Sequence, residues 1–368
     1  MYKINSSFQD EFIFMKDLII HIGLSKCASS TIQAYLGNNP TLTFNNKSFK
    51  YVCFKPSGKP ASDAEVMHET NVGLLGYCSS NISRNTNIFK KQINHLKSDE
   101  YDDHDIIISN EDFGNKNFLT KDRADLFKSL NRRIKVVMFV RPFAEWMASG
   151  WWQWGFWEED VSIDQWVSKF KTFSYLDGLQ QWLRNLDADE YYVSDISNNV
   201  LQRFAEIAGM PDPYSALSKN RSSSAELLNF LIKHPYLGRK THNPRIEFYL
   251  NRNIKKDFTR APFPLSRKNV EDIFTASVSE SKMVLNEIKK TGQRVSEQRE
   301  RSYLDPSVFL EKVCDFDRQE FISKPINTDI IFETRKALNS LLINNPSIYF
   351  RYLSRNRLFA LQHARLYV

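Results

Sequence analysis

Clustered cysteines and long apolar runs are both missing from this chain of 368 residues. The four cysteines are far apart in the sequence: Cys27, Cys53, Cys78 and Cys314. They form no CxxC pair, so neither a zinc motif nor the disulfide framework of a small secreted domain is visible. The apolar stretch near the N-terminus is interrupted by Lys16 and Asp17, and no later run reaches the ~20 residues that span a bilayer. These absences indicate a reducing compartment, and we expect a cytoplasmic protein.

Apolar and basic residues are plentiful. Hydrophobic residues make up 42% of the chain and charged residues 25%, which excludes a disordered or fibrous protein. The length suggests one large domain, or a domain with an appendage. The net charge of +7 favours an anionic partner, whether a nucleotide, an acidic glycan, a nucleic acid or a membrane surface.

Short apolar runs alternate with helical patterns over the first 210 residues. The runs predict strands at 18–22, 105–109, 135–140 and 190–196. The intervening periodicity predicts helices after residue 31 and at 121–130, 174–186 and 200–208. Residues 38–88 are predicted to hold loops with one short strand near 51–54. This alternation is typical of an α/β protein with a three-layer α/β/α arrangement and a mainly parallel sheet.

Beyond residue 220 only helical periodicity recurs, at 226–232, 269–288, 308–321 and 328–342. We therefore expect a core at 1–225 and a helical C-terminal region at 226–368 that packs on it. The tail is basic after Glu333: Arg335, Lys336, Arg351, Arg355, Arg357 and Arg365. An amphipathic helix there could touch an anionic membrane or an acidic glycan, or it could dock on the body of the protein.

The first strand leads into a turn of small residues around Lys26. A strand, a small-residue loop and a helix bring backbone N–H groups and the positive end of the helix to one point, which suits a phosphate. The nucleotide triphosphatase loop is a different motif, since it requires a hydroxyl residue after the lysine to hold magnesium. Here Ser25 precedes Lys26 and Cys27 follows it.

Residues 21–33, His-Ile-Gly-Leu-Ser-Lys-Cys-Ala-Ser-Ser-Thr-Ile-Gln, resemble the 5′-phosphosulfate loop of sulfotransferases that use 3′-phosphoadenosine-5′-phosphosulfate (PAPS). Three residues depart from the usual pattern, because Ser25 replaces Pro, Cys27 replaces Thr and Ala28 replaces Gly. The resemblance implies a donor site without a metal. It assigns the following residues to donor binding: Lys26, Cys27, Ala28, Ser29, Ser30 and Thr31.

A second motif of the same family places an Arg at a strand end and a Ser eight residues later on the 3′-phosphate. Arg141 closes the third predicted strand and Ser149 lies eight residues on. A guanidinium binds phosphate through paired, charge-assisted hydrogen bonds. Alternatively, Arg141 pairs with a carboxylate and Ser149 merely packs. Downstream, 220–226 resembles an Asn-x-Ser segment that would add Arg221 as a phosphate contact, although a helix N-cap explains its serines equally well.

Transfer to a hydroxyl requires a general base. The chain has no Lys-Thr-His segment of the kind that supplies a histidine base in small-molecule sulfotransferases. Glu111 resembles the Ser-x-Glu that ends a core strand in carbohydrate and bacterial members, and it is the expected base, with Asp112 as second candidate. The alternatives are that Glu111 caps the next turn or pairs with Lys26.

The resemblance implies an enzyme that moves a sulfuryl group from PAPS to an acceptor hydroxyl on a carbohydrate or glycoconjugate, leaving 3′,5′-bisphosphoadenosine (PAP). Trp152 and Gln153, in a tryptophan-rich stretch, are candidate acceptor contacts, although core packing also explains the tryptophans. Two other readings remain open. One is a P-loop kinase of a small molecule, and the other is a non-catalytic binder of anions or nucleic acid.

Overall fold

A six-stranded sheet lies at the centre of the chain. The computed structural model describes residues 15–349 except 73–74, 79–81, 116, 159–160, 172, 197–198, 214–222, 238, 242–244 and 347–348. The strands are β1 (Asp17–Ile22), β2 (Thr41–Phe44), β3 (Lys47–Tyr51), β4 (His104–Asn110), β5 (Arg133–Val140) and β6 (Glu190–Asp195). Their order is β2-β3-β4-β1-β5-β6, and every pair is parallel except β2 with β3. The predicted α/β fold with a mainly parallel sheet is confirmed.

Fifteen α-helices lie within the described residues. They are α1 (Ser29–Asn38), α2 (Asp63–Val72), α3 (Thr86–His95), α4 (Lys121–Lys128), α5 (Phe143–Gln153), α6 (Ile163–Phe170), α7 (Tyr175–Leu186), α8 (Val200–Ala208), α9 (Ala225–Lys233), α10 (Arg245–Asn253), α11 (Arg267–Lys290), α12 (Glu297–Leu304), α13 (Ser307–Leu310), α14 (Arg318–Ser323) and α15 (Thr328–Asn344). None of these described helices combines the length and the apolar character that crossing a bilayer requires.

Helices cover both faces of the sheet, as a three-layer arrangement requires. Parallel crossovers are right-handed, so the connection through α1 and the connections through α4 and through α5–α7 fall on opposite faces. Aromatic contacts agree with this placement. On one face, Phe204 of α8 lies 5.8 Å from His21 of β1. On the other, Trp182 of α7 lies 5.8 Å from Phe127 of α4. The strands between these layers are buried on both sides and are accordingly continuous apolar runs.

The prediction for residues 38–88 was wrong in detail, since this region holds a β-hairpin and two helices. Asn45 and Asn46 connect β2 to β3 with φ of 48° and 61°, the left-handed conformation that a two-residue hairpin turn requires. The strand β3 ends at Tyr51, so it overlaps the strand predicted near 51–54 only at that residue. The alternating apolar residues on either side of Asn45-Asn46 are the signal that could have revealed the hairpin.

The single helix predicted at 308–321 is two short helices, α13 and α14. The side chain of Asp317 accepts a hydrogen bond of 2.7 Å from the backbone N–H of Glu320 and so begins a new helix at Arg318. Three other helices, α6, α10 and α12, were not predicted. All three are short, and α12 is in addition rich in charged residues with a weak apolar periodicity.

The helices after residue 225 contribute to two separate hydrophobic clusters. Helix α11 packs on β6 and α5, and its buried residues join the core around the sheet. Helices α9, α10 and α15 instead form a second cluster, which includes Phe230, Tyr249 and Leu338. The described part of the region 226–368 therefore supports the sheet and also builds most of a second, smaller core.

Replacing Gly178 of α7 by alanine tests how closely this helix approaches the turn after β4. A Gly-to-Ala change inside a helix usually stabilises it, by up to about 1 kcal/mol. Here a Cβ at Gly178 would lie 2.5 Å from the backbone oxygen of Gly114, and neither backbone can yield. We therefore expect Gly178→Ala to lower stability by about 1–3 kcal/mol. The urea midpoint measures this, with the exposed Gln180→Ala of the same helix as a control that should change little. A stabilised Gly178→Ala would contradict the packing described.

Candidate active site

The loop between β1 and α1 adopts a conformation that exposes backbone N–H groups. Lys26 and Ala28 have φ of 67° and 65°, an uncommon left-handed conformation for residues with a side chain. Ala28 is the N-cap of α1 and supplies no side-chain cap. Within the described chain, no acceptor is hydrogen-bonded to the N–H groups of Lys26, Ala28, Ser29 or Ser30. Such a run of N–H groups at a helix N-terminus forms an anion site.

Close contact between the strand ends brings this loop to the end of β4. Ile22 pairs with Asn110 of β4 and with Met138 of β5, so the three strands end at the same edge. Gly23 N–H donates to the Asn110 carbonyl at 3.0 Å. A Cβ on Gly23 would lie 2.9 Å from that oxygen, so only glycine permits the approach. The carboxyl ends of parallel strands are where ligands bind in α/β sheets.

Lys26 lies among charges contributed by several parts of the chain. The residue is partly exposed, but its ammonium group is enclosed. Burial lowers the pKa of Lys26 to about 8, and the nearby cations Arg141 and Arg239 act in the same direction. The carboxylates of Glu247 and Glu111 oppose this shift. Lys26 therefore carries its charge at neutral pH but is close to losing it.

Arg141 is bonded directly to the loop. It follows β5, and its Nη1 donates to the backbone carbonyl of Lys26 at 2.9 Å. Its Nε is buried with no hydrogen-bond partner among the described residues, and the nearest carboxylate, that of Glu145, is 3.7 Å away. An unsatisfied buried donor is costly and indicates a site prepared for an acceptor. The structure thus brings together Lys26 and Arg141, which are 115 residues apart.

Ser149 lies on α5, two turns from Arg141, and is partly exposed. Between them on the helix, Glu145 forms an ion pair with Arg299. Arg299 also donates to the carboxylate of Asp195, at the end of β6, at 2.8 Å. Tyr303 donates to the other oxygen of that carboxylate. The carboxylate alternative for Arg141 is therefore present in part, as a long contact with Glu145, and a phosphate at this position would compete with Glu145 for both arginines.

Glu111 opens a short 3-10 turn after β4 and is not its cap. The cap is Asn110, whose side chain accepts from the N–H of Asp112 at 2.8 Å. Burial raises the pKa of Glu111 above its ordinary value, Lys26 opposes this, and the like charge of Asp112 adds to it. The nearby hydroxyl of Ser25 acts in the opposite direction to burial, because it favours the charged form of the carboxylate. Glu111 is thus near enough to Lys26 for their charges to interact, although the ion pairs of the described chain include none between them. A carboxylate in this position suits a general base.

Asp112, the second candidate base, is already paired. Both of its carboxylate oxygens accept hydrogen bonds from the guanidinium of Arg84, and both side chains are exposed by more than a third. Asp112 therefore lies at the rim of the site, and Glu111 beside it is also partly exposed but is more closely surrounded by the protein.

The histidine and the glutamine of the loop motif have structural roles. His21 is fully buried, and its Nδ1 lies 2.7 Å from the hydroxyl of Ser109 on β4. Gln33 of α1 donates to the same hydroxyl at 3.3 Å. Burial lowers the pKa of His21 to about 3, so it stays neutral and cannot be the base at physiological pH. The three side chains join β1, β4 and α1 beneath the loop.

Two of the residues predicted to bind PAPS have side chains that point into the protein interior. Cys27 is buried in the core, its N–H donates to the carbonyl of Leu24, and burial raises the pKa of its thiol to about 12. It therefore offers neither its thiol nor its N–H to a ligand, which corrects its assignment to donor binding. The hydroxyl of Ser29 donates to Leu24 as well, at 3.0 Å, so Ser29 offers only its backbone N–H. Ser30 and Thr31 are partly exposed.

Trp152 supports the packing of the C-terminal helices. Its indole N–H donates to the carbonyl of Pro262 at 3.0 Å, and its ring lies 5.0 Å from that of Phe156. Trp146 supports the loop itself by donating to the carbonyl of Ser25 at 2.9 Å. For these two residues the packing alternative is therefore what the structure describes. The side chain of Gln153 is partly exposed.

Arg239 and Glu247, two site residues that no motif indicated, come from the region after 225. They form a buried ion pair, and Arg239 also donates to the backbone carbonyl of Gln153 at 2.7 Å. The guanidinium of Arg239 lies 4.1 Å from the ring centroid of Trp157. Ser223 donates to the Glu247 carboxylate as well. Arg221 and the basic tail from residue 351 lie outside the described residues.

Replacing Lys26 by methionine tests whether burial of its ammonium group lowers the stability of the folded protein. The lowered pKa means that the folded state binds the Lys26 proton less tightly than the unfolded state does. We expect Lys26→Met to raise the free energy of unfolding at pH 7 by about 1–3 kcal/mol.

The sign of the pH dependence provides a control for this variant. The penalty on the native protein is full below pH 8 and disappears between about pH 8 and the pKa of a free lysine near 10.4. The advantage of Lys26→Met in urea unfolding should shrink over that interval. An advantage that is constant from pH 7 to 10 would show that the ammonium carries no such penalty.

Comparison with known proteins does not place the chain in a family. No protein-family model matches it, and no curated protein or solved structure does either. What the chain does must therefore be argued from the geometry and the charges of this site.

Proposed function

We propose that the chain is a PAPS-dependent sulfotransferase that transfers a sulfuryl group to a hydroxyl of a carbohydrate or glycoconjugate. One observation supports this most directly. The Arg141 side chain is hydrogen-bonded to the loop at Lys26, and Glu111 is close enough to the same lysine for their charges to interact. An anion-binding loop, a second arginine site and a candidate base thus share one edge of the sheet.

The residues present suit a nucleotide with phosphates at two ends. We assign the 5′-phosphosulfate to Lys26 and to the N–H groups of Ala28, Ser29 and Ser30, which have no partner among the described residues, with the Thr31 hydroxyl beside them. We assign the 3′-phosphate to Arg141 and Ser149. The buried Nε of Arg141 without a partner supports this, because a phosphate oxygen would satisfy it.

In the proposed reaction the donor supplies the sulfuryl group, whose bond to the phosphate oxygen breaks as a new bond to the acceptor oxygen forms. Glu111 takes the proton of the acceptor hydroxyl, and its raised pKa makes it a stronger base than an exposed carboxylate. Lys26 balances the negative charge that grows on the phosphate oxygen of the leaving PAP, and fixed N–H dipoles assist it. The hydrogen bond from Arg141 to its carbonyl holds Lys26 in place.

The buried cysteines support the cytoplasmic setting that the sequence predicted. Cys27, Cys53 and Cys78 are all free thiols, although Cys53 and Cys78 lie within 4.0 Å of each other. In an oxidising compartment such a pair would be exposed to disulfide formation. We accordingly propose that the enzyme works in the cytoplasm.

Donor affinity distinguishes the proposal from its two rivals. A P-loop kinase would prefer ATP with magnesium, but the residue after Lys26 is a buried cysteine where that class has a hydroxyl ligand. A non-catalytic binder of nucleic acid would hold polynucleotide in a salt-dependent manner that survives loss of Lys26. Tighter binding of PAP than of ATP with magnesium, lost in Lys26→Ala, is expected only of the sulfotransferase.

Replacing Glu111 by glutamine tests the proposed base. The amide keeps the size of the side chain but cannot take a proton, so we expect kcat to fall by roughly 100-fold or more. The affinity for PAP should change by less than about threefold, since Glu111 does not hold the donor. Transfer of labelled sulfate from PAPS and calorimetry with PAP measure the two effects. The exposed Glu206→Gln is the matched control and should behave like the native enzyme. A Glu111→Gln variant with native turnover would remove Glu111 as the base.

The pH dependence of transfer should report both ionisable groups. Activity should rise as Glu111 deprotonates, at a pH above that of an ordinary glutamate. The value of kcat/KM for PAPS should fall above about pH 8, where free Lys26 loses its charge. The fall in kcat should come at higher pH, because the bound anion stabilises protonated Lys26.

Arginine at position 26 provides the control, since it keeps its charge throughout this range. The fall in kcat/KM near pH 8 should disappear in Lys26→Arg, even if its overall activity is lower. If the fall stays at the same pH in this variant, another group must be responsible.

A further inference from the structure

A pocket of about 510 Å³ opens beside Asp112, the residue that follows the proposed base in the chain. It lies at the end of the sheet formed by β3 and β4, on the side away from β5 and Arg141. Asp112, the residue after Glu111, is part of its lining, and the two carboxylates are close enough for Asp112 to raise the pKa of Glu111. Its volume falls in the range of roughly 300–1,000 Å³ that is typical of small-molecule sites.

We infer that this pocket binds the acceptor and that the acceptor is an uncharged carbohydrate. The inference rests on the proposed function and deepens it. Glu111 would stand between the two halves of the site, with Lys26 and the donor on one side and the pocket on the other. A hydroxyl at the inner end of the pocket would then lie within reach of the base.

The charges around the pocket are balanced, which favours a neutral ligand. Three basic side chains line it: Lys55, Arg84 and Arg245. Lys55 is paired with Glu65 at 2.7 Å, and Arg84 is paired with Asp112. Glu69 is the second carboxylate of the wall after Asp112, and with Glu65 just outside it the three cations are matched by three carboxylates. An acidic glycan would therefore bring a negative charge close to Glu111 with no excess of positive charge to receive it.

The pocket is lined by both apolar and polar groups. Phe54, Tyr77 and Ile88 provide apolar and aromatic surface, while Arg84, Asp112 and Glu69 provide donors and acceptors. A sugar ring has the same mixture, with apolar C–H faces and a rim of hydroxyls that both donate and accept. A lipid chain, or a phenol with no polar group besides its hydroxyl, would leave most of these charged groups without their hydrogen bonds to water, which is costly.

The wall of the pocket is held in place by contacts with the protein core. Phe54 and Tyr77 each adjoin a buried cysteine, and the sulfur atoms of Cys53 and Cys78 lie 4.0 Å apart in the core. The hydroxyl of Tyr51 donates to the carbonyl of Cys78 at 3.2 Å. The N–H of Tyr77 donates to the carboxylate of Glu69 at 3.0 Å. A wall held in this way is formed before the ligand binds, so little ordering is needed on binding.

The test measures transfer of labelled sulfate from PAPS to cellobiose, lactose, maltose and diacetylchitobiose, with cellobiouronic acid as the acidic counterpart. We expect at least one neutral disaccharide to be sulfated and cellobiouronic acid to be at least tenfold poorer in kcat/KM. Arg84→Ala should raise KM for the neutral acceptor about tenfold and leave kcat and the affinity for PAP within twofold. Arg203→Ala is the matched control, because it removes an arginine that is paired with a carboxylate outside the pocket.

A second variant tests the charge balance. Asp112→Asn removes the partner of Arg84 and leaves an uncompensated cation in the pocket. The preference for cellobiose over cellobiouronic acid should then shrink at least threefold, which a purely structural role of Asp112 would not produce.

The outcomes separate this inference from the proposed function. If PAP binds but none of the neutral disaccharides is sulfated, or if Arg84→Ala leaves KM unchanged, the acceptor inference is overturned and the donor site stands. A preference for the acidic acceptor overturns it as well. If the native protein binds no PAP and transfers no sulfate, the proposed function itself fails.

Discussion

The hydrogen bond from Arg141 to the carbonyl of Lys26 is the contact on which the rest of the site depends. It crosses between the ends of two adjacent strands and holds a loop in which Lys26 and Ala28 both adopt the left-handed conformation. That conformation costs roughly 1–2 kcal/mol for each residue with a side chain. The bond, the close approach of Gly23 to β4 and the Trp146 hydrogen bond to Ser25 together offset this cost. The result is a set of N–H groups directed at one point.

The site also contains more charged side chains than the stability of a protein interior requires. Lys26, Arg141 and Arg239 lie together with Glu111 and Glu247, and the ionic interactions among them oppose the desolvation that burial imposes. Buried ion pairs contribute little net stability, so such a cluster is better explained by function. Burial shifts the pKa values of Lys26 and Glu111 toward neutral pH from opposite directions.

Much of the sheet and the main candidate residues could be predicted from the sequence. The strands are continuous apolar runs, and a chemically active residue follows three of them: Lys26, Glu111 and Arg141. The shared edge of a parallel sheet is enough to bring such residues near each other. The hairpin at Asn45-Asn46 and the short helices α10 and α12 were missed, because their patterns are brief or highly charged. Arg239 and Glu247 carry no local signal, since long-range packing alone brings them to Lys26.

The sequence by itself determined the α/β architecture, the small-residue loop and the order in which the candidate site residues follow the strands, because these depend on local periodicity and residue size. Only the tertiary structure decided which groups face a ligand. In the folded protein the side chains of Cys27 and Ser29 point into the interior, and Asp112 is paired with Arg84. Cys53 lies next to Cys78 behind a pocket that no sequence motif indicates. The physical reason is that burial and pairing are properties of neighbours in space, and these neighbours are contributed by segments far apart in the chain.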